Sequence, residues 1–206
     1  MPLSAGIVGG PGKLKDPSQP WLLGYRTNLV ANPTFEVDTA SWTGGAGGVI
    51  SRTTSEAFIG SASLQVDNSS ASFTESALFP LVLGEGDYIA SAYVKLAAGN
   101  APANYFLRYL QYEDLGQTSV SSGNFGTQAL SVSGDWVRLS GTFTKTGIAN
   151  YAVIRVVTNS TTNTDVFYVD AVMVEKGTTL GSYYDGSSNG FWSGTSHNSI
   201  SGATPY

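Results

Sequence analysis

The chain has 206 residues and no cysteine, which excludes disulfides and thiolate metal sites. Its net charge of −5, with only 10 Lys and Arg, excludes a nucleic-acid partner, because neutralising phosphates needs clustered cations. Charged residues make up 12% while Gly (25), Tyr (11) and Phe (9) are abundant, a strand-and-turn composition with few helices.

Residues 1–26 carry Pro2, Pro11, Pro17 and Pro20 with glycines between them, which blocks both helix interiors and central strands. This segment reads as an extended N-terminal arm or linker. Trp21, Leu22, Leu23 and Tyr25 favour docking over a solvated tail, which has no need of large apolar groups. The first residues lack a basic region, and their apolar stretch is broken at Gly9, Gly10 and Pro11, so no signal peptide is expected. No window approaches the ~18 apolar residues of a membrane-spanning helix.

From Asn28 onward short apolar and polar alternations recur between turn residues, the pattern of an all-β sandwich. Strands are expected near 28–30, 34–37, 48–54, 61–67, 72–79, 86–97, 103–113, 118–131, 135–145, 151–158 and 165–175. In 87–96, Tyr88, Ala90, Ala92, Val94 and Leu96 fall on one face, which is assigned to the core; Ile89, Ser91, Tyr93 and Lys95 fall on the other. Val137, Leu139 and Phe143, and likewise Ala152, Ile154 and Val156, form further apolar stripes. One-sided burial favours antiparallel strands in two stacked sheets. After Gly177 the chain is rich in Gly and Ser with Tyr183, Tyr184, Phe191 and Trp192 interspersed, and a hairpin with a turn near Ser187 to Gly190 is expected.

The run Asn28-Leu29-Val30-Ala31-Asn32-Pro33-Thr34-Phe35-Glu36 followed by Trp42 resembles the opening of galactose-binding-like, jelly-roll carbohydrate-binding modules. Residues 60–66, Trp136 to Leu139 and the closing run Val166 to Glu175 follow in the usual order, so the resemblance covers 28–177. It implies an antiparallel β-sandwich jelly roll over 27–177. The ending, Glu175-Lys176-Gly177, Tyr184-Asp185-Gly186 and Trp192-Ser193-Gly194-Thr195 with His197 and Ser199, resembles the tail of minor tail proteins of tailed bacteriophages. That likeness implies a virion protein made in the host cytoplasm. Residues 178–206 would then form an assembly hairpin with Trp21, Tyr25, Tyr184 and Trp192 as anchors, and the partners would be other virion proteins, further copies of the chain or a host-surface glycan. A carbohydrate-binding host adhesin and a head decoration protein are the alternatives.

The related modules hold a structural calcium where first and last strands run together, which places Glu36 and Asp170 as its acidic ligands, with loop carbonyls completing the shell. The alternative is that both acids cap backbone groups or pair with an arginine such as Arg52. A sugar surface needs rings flanked by polar groups; Tyr93 and Lys95 with Tyr109, Gln111 and Glu113 are the candidates, although both faces of 105–113 carry aromatics. Catalysis finds little support. Glu113 and Asp114 are neighbours rather than a pair across a cleft, and the single histidine, His197, has only Asp185 nearby in sequence.

Overall fold

The computed structural model describes residues 26–45, 48–67, 75–100, 103–113, 119–130, 134–147, 151–158, 166–188 and 190–203. Trp21 and Tyr25 lie outside them. The described residues form strands and turns without a helix. A front sheet has the order β2-β5-β10-β7-β8, formed by β2 (Thr43–Gly44), β5 (Glu75–Leu81), β10 (Tyr151–Thr158), β7 (Ala103–Tyr112) and β8 (Ser119–Leu130). A back sheet has the order β3-β4-β11-β6-β9, formed by β3 (Val49–Thr53), β4 (Ser63–Asp67), β11 (Val166–Lys176), β6 (Gly86–Leu96) and β9 (Val137–Lys145). All pairings are antiparallel.

The alternation seen in the sequence orients the sheets as expected. Tyr88, Ala90, Ala92, Val94 and Leu96 of β6 and Leu139 and Phe143 of β9 point inward and meet Ala152, Ile154 and Val156 of β10 in one core. Burial of each large side chain contributes roughly 1.5–3 kcal/mol. Tyr109 and Phe125 lie flat across glycines of the opposing strands. A Cβ at Gly141 would come within 2.6 Å of the Phe125 ring, and one at Gly123 within 2.8 Å of Tyr109. These gaps let Tyr109, Phe125 and Phe143 stack, with Tyr109 and Phe143 centroids 5.4 Å apart.

Residues 34–37 do not form the expected strand. Asn32 and Phe35 have positive φ (51° and 57°), so this segment is a turn whose only strand-like feature is the wholly buried Phe35, packed 5.2 Å from Trp42. Two short strands, β12 (Phe191–Trp192) and β13 (Ser201–Ala203), join β1 (Arg26–Asn28) in a third sheet of order β1-β13-β12. The terminal hairpin therefore closes through 193–200. The Ser187 to Gly190 region instead precedes β12, where Asp185 Oδ1 accepts the backbone N–H groups of Ser187 (2.8 Å) and Ser188 (2.7 Å).

This terminal sheet is bound to the outer side of β11. A β-bulge between Asp170 and Met173, with Ala171 at φ 48°, switches the inward residues of β11 from Phe167 and Val169 to Val172 and Val174. Met173 and Glu175 are thereby turned outward. Met173 packs with Tyr184 and Ala203. Glu175, 6% exposed, accepts Arg26 Nε (3.0 Å), Arg26 Nη2 (2.7 Å) and the Tyr184 hydroxyl (3.0 Å). The Arg26 guanidinium also lies 4.5 Å over the Tyr184 ring. Removing the cation leaves a buried carboxylate without its ion partner. Arg26→Leu is therefore expected to lower stability by about 3 kcal/mol, with hydrogen exchange accelerating in 178–203 before the sandwich strands. Unchanged protection in 178–203 would contradict the role given to this pair.

Candidate functional site

Glu36 and Asp170 each hold the loop between β3 and β4 by accepting its backbone N–H groups, the capping role weighed above as the alternative to a calcium site. Asp170 sits just ahead of the bulge and is 0% exposed. Its Oδ2 accepts the N–H groups of Phe58 (2.8 Å) and Ile59 (3.1 Å), and its Oδ1 that of Ala171 (2.6 Å). Glu36 Oε1 accepts the N–H groups of Ser61 (3.0 Å) and Ala62 (3.1 Å), while its Oε2 accepts the Ser61 hydroxyl (2.7 Å). Gly60, at φ 73°, allows this approach, because a Cβ there would overlap the Glu36 carboxylate. Arg52 donates to the carbonyls of Phe35 and Glu36, each at 2.9 Å, and so pairs with backbone rather than with either acid.

Burial raises the Asp170 carboxyl to about 7, against the lowering effect of its three backbone donors, and the charge of Glu36 adds to the rise. Burial also raises Glu36, but the Ser61 hydroxyl and the Ser61 and Ala62 N–H groups outweigh it and hold Glu36 below its usual 4.5. The charge of Glu36 reaches Asp170, and a hard cation bound by both would need further oxygen ligands. Among the described residues no group of three or more His, Cys, Asp and Glu surrounds them, so carbonyls or water would supply the remaining ligands.

The proposed sugar residues do not share a surface. Tyr93 and Lys95 lie on the outer face of the back sheet, Tyr93 stacked on Phe58 at 3.6 Å and Lys95 paired with Glu56 at 2.8 Å. Tyr109 and Gln111 belong to the front sheet and face inward. Gln111 is 0% exposed, its amide donating to Thr144 O (2.6 Å) and accepting from Thr146 N (3.1 Å), so it has no role at a surface. Both faces of β7 are apolar, which is why periodicity left its outward side undecided. Glu113 is exposed just past the strand end.

The outer face of the front sheet carries instead Phe106, Arg108, Leu110 and Tyr112 of β7 directly opposite Val157, Arg155, Val153 and Tyr151 of β10. Leu110, Tyr112 and Val153 form a buried cluster against the half-buried Tyr151, whose ring centroid is 5.2 Å from that of Tyr112. Arg155 Nη2 donates to the Tyr112 hydroxyl at 3.3 Å. The alternation signal for this face was present in the sequence, but its core-like residues hid it.

The tail residues named as anchors are engaged within the chain. Tyr184 is 2% exposed and committed to Glu175 and Arg26, so it is not available as a docking anchor. Trp192 is half-buried beside His197, with ring centroids 5.0 Å apart, and His197 Nε2 lies 3.3 Å from the Ser187 hydroxyl. Gly186 makes room for the Trp192 ring, which a Cβ would overlap. Cavities of about 150 and 460 Å³ adjoin Arg26, Glu175 and Lys176 at the root of this tail. Their shared polar groups are used by the Arg26–Glu175 pair, and neither cavity presents two adjacent rings.

The Asp170 shift sets a pH dependence for the metal-free protein. Between the usual 3.8 and about 7 the folded chain holds a proton that the unfolded chain has released. Stability therefore falls as pH rises through that interval, by on the order of 4 kcal/mol. Glu36 acts in the opposite sense, but only below its usual 4.5. Thermal melts in chelator from about pH 5 to about pH 8 are expected to show a falling midpoint, and Asp170→Asn a flatter profile. A midpoint that rises over this range in the unsubstituted protein would contradict the assignment.

Comparison with known proteins adds the family. The chain matches solved carbohydrate-binding structures in fold. These include the CBM22-1 xylan-binding domain of Paenibacillus barcinonensis Xyn10C, with TM-score 0.61 and 20% identity over 74% of this chain and 96% of that one. A xylan-binding domain of family 22 gives TM-score 0.63 and 21% identity over 75% and 98%. The C-terminal family 22 module of Clostridium thermocellum Xyn10B gives 0.60 and 21% over 77% and 98%. Comparison with curated sequences returns no match. The family model described as a carbohydrate binding domain matches residues 27–178, and with the jelly-roll sandwich this chain belongs to that family.

Proposed function

We propose that the protein is a non-catalytic carbohydrate-binding module that takes a polysaccharide along the outer face of the front sheet. The observation that carries this reading is the half-buried Tyr151 ring, backed by the buried Tyr112 and set on one face with Arg155 and Arg108. Rings stack on the apolar face of a pyranose while neighbouring polar groups bond its hydroxyls. The opposite face is less suited to a long ligand. Loop 56–62 lies over it with Phe58 on Tyr93, and the terminal segment is fastened across it through Arg138 to Gly181 O (2.8 Å) and Glu175 to Tyr184. The structural neighbours are named as xylan-binding, which makes plant-type polysaccharides a sensible first panel.

The family match ends at residue 178, so it supports the carbohydrate-binding alternative and leaves the virion setting resting on the end segments alone. We further propose that Glu36 and Asp170 hold a calcium ion whose chemistry is structural: it would neutralise the paired acids and stiffen loop 56–62.

In affinity electrophoresis against a panel of neutral and charged polysaccharides, retention by at least one is expected. Tyr151→Ala should weaken it about tenfold or more, the scale of losing a stacked ring, while Tyr93→Ala leaves it unchanged. Loss on Tyr93→Ala alone would move the site to the back sheet. For the metal, calcium at about a hundredfold excess over Kd should raise stability by about 3 kcal/mol relative to chelator, and Glu36→Gln should abolish the difference. Equal midpoints with and without calcium would remove the metal from the account.

A further inference from the structure

Arg155 and Arg108 stand directly opposite one another across β10 and β7, at the centre of the face proposed for the glycan. Any part this pair plays in recognition rests on the carbohydrate-binding reading of that face. Like charges directly opposite across a sheet repel. Both side chains are also half-buried, where repulsion is less screened by water. The chain has only 10 Lys and Arg against 15 Asp and Glu, so two opposed arginines run against its composition. Both are engaged within the chain, Arg155 with the Tyr112 hydroxyl.

The hydrogen-bonding chemistry of the arginine pair is also one-sided. The four facing pairs, Phe106 with Val157, Arg108 with Arg155, Leu110 with Val153 and Tyr112 with Tyr151, set the two arginines among rings and aliphatic residues, with Asn124 of β8 opposite Arg108 and Glu75 of β5 opposite Val157 by register. A guanidinium only donates. A carboxylate only accepts, and its two oxygens match the guanidinium fork.

We propose that the front face recognises an acidic polysaccharide, one bearing uronic-acid carboxylates, with Arg155 and Arg108 receiving the carboxylate and Tyr151 stacking on the sugar ring. The paired cations thereby give the site its selectivity, and the rings supply the part of the affinity common to any pyranose chain.

The test uses the full chain and a panel of polygalacturonate, alginate and glucuronoxylan, each beside the same polymer after carboxyl reduction, which keeps the backbone and removes the charge. At least one uronic-acid polymer is expected to bind about tenfold or more tightly than its reduced form, with the advantage shrinking as salt is raised. Arg155→Gln and Arg108→Gln, each checked for an unchanged melting profile, should erase the advantage while residual binding to the reduced polymer persists; Arg155→Lys should keep part of it. Should one variant fail to fold, the other carries the measurement. If every polymer that binds does so equally well after reduction, the carboxylate proposal is overturned while the carbohydrate-binding reading stands. Binding to no polymer, charged or neutral, would overturn both.

Discussion

The carboxyl group of Asp170, wholly removed from water on the outer side of β11, is the point on which much of this structure turns. It lies at the start of a bulge, and the bulge has two consequences. Ahead of it, Asp170 is aimed at the backbone of Phe58 and Ile59 and fixes the loop that Glu36 grips at Ser61 and Ala62. Behind it, the parity of β11 is reversed, so that Met173 and Glu175 face outward to receive the terminal segment. A regular strand would have turned those two side chains into the core. The residues that start the sandwich, the loop after β3 and the tail are thus joined by one irregularity in the last long strand, with Asn28 closing the backbone gap. Its Oδ1 accepts Val30 N and Val174 N, each at 3.1 Å, and its Nδ2 donates to Val172 O at 2.9 Å.

A chain with only 12% charged residues uses them sparingly, and the two faces use them differently. On the back, Glu36, Asp170 and Glu175 are all occupied in holding backbone or a cation, and Lys95 is paired with Glu56. Arg138, half-buried, donates to Ser91 Oγ and to the carbonyl of Gly181. The back is therefore the face that holds the molecule together. On the front, Arg108 and Arg155 face one another across β7 and β10 among rings, each engaged within the chain, Arg155 with the Tyr112 hydroxyl.

The sandwich was legible in the chain because a half-buried strand writes its orientation as a period of two, and β6, β9 and β10 do so plainly. The alternation fails for β7, where Phe106, Leu110 and Tyr112 are as apolar as the core-facing Tyr105, Leu107 and Tyr109. A face that binds the apolar side of a sugar resembles a core in composition, so periodicity cannot rank the two. The turn at 32–36 was missed for another reason. Positive φ at Asn32 and Phe35 leaves little trace in residue type when the residue is a buried phenylalanine. That Glu36 and Asp170 cap backbone groups was one of the readings open in the sequence, but which groups was not legible, because backbone N–H groups carry no residue identity.

The amino-acid sequence by itself determined the all-β class and the two-sheet core, since these follow from alternation and from motif order along the chain. Only the tertiary structure decided which side of β7 enters the central core, that Gln111 is sealed by Thr144 and Thr146, and that Tyr184 is bound to its own Glu175 rather than left for a partner. Those outcomes depend on which strands become neighbours and where a bulge shifts their register. The contact between Arg26 and Glu175 spans 149 residues of the chain, beyond the reach of any local pattern.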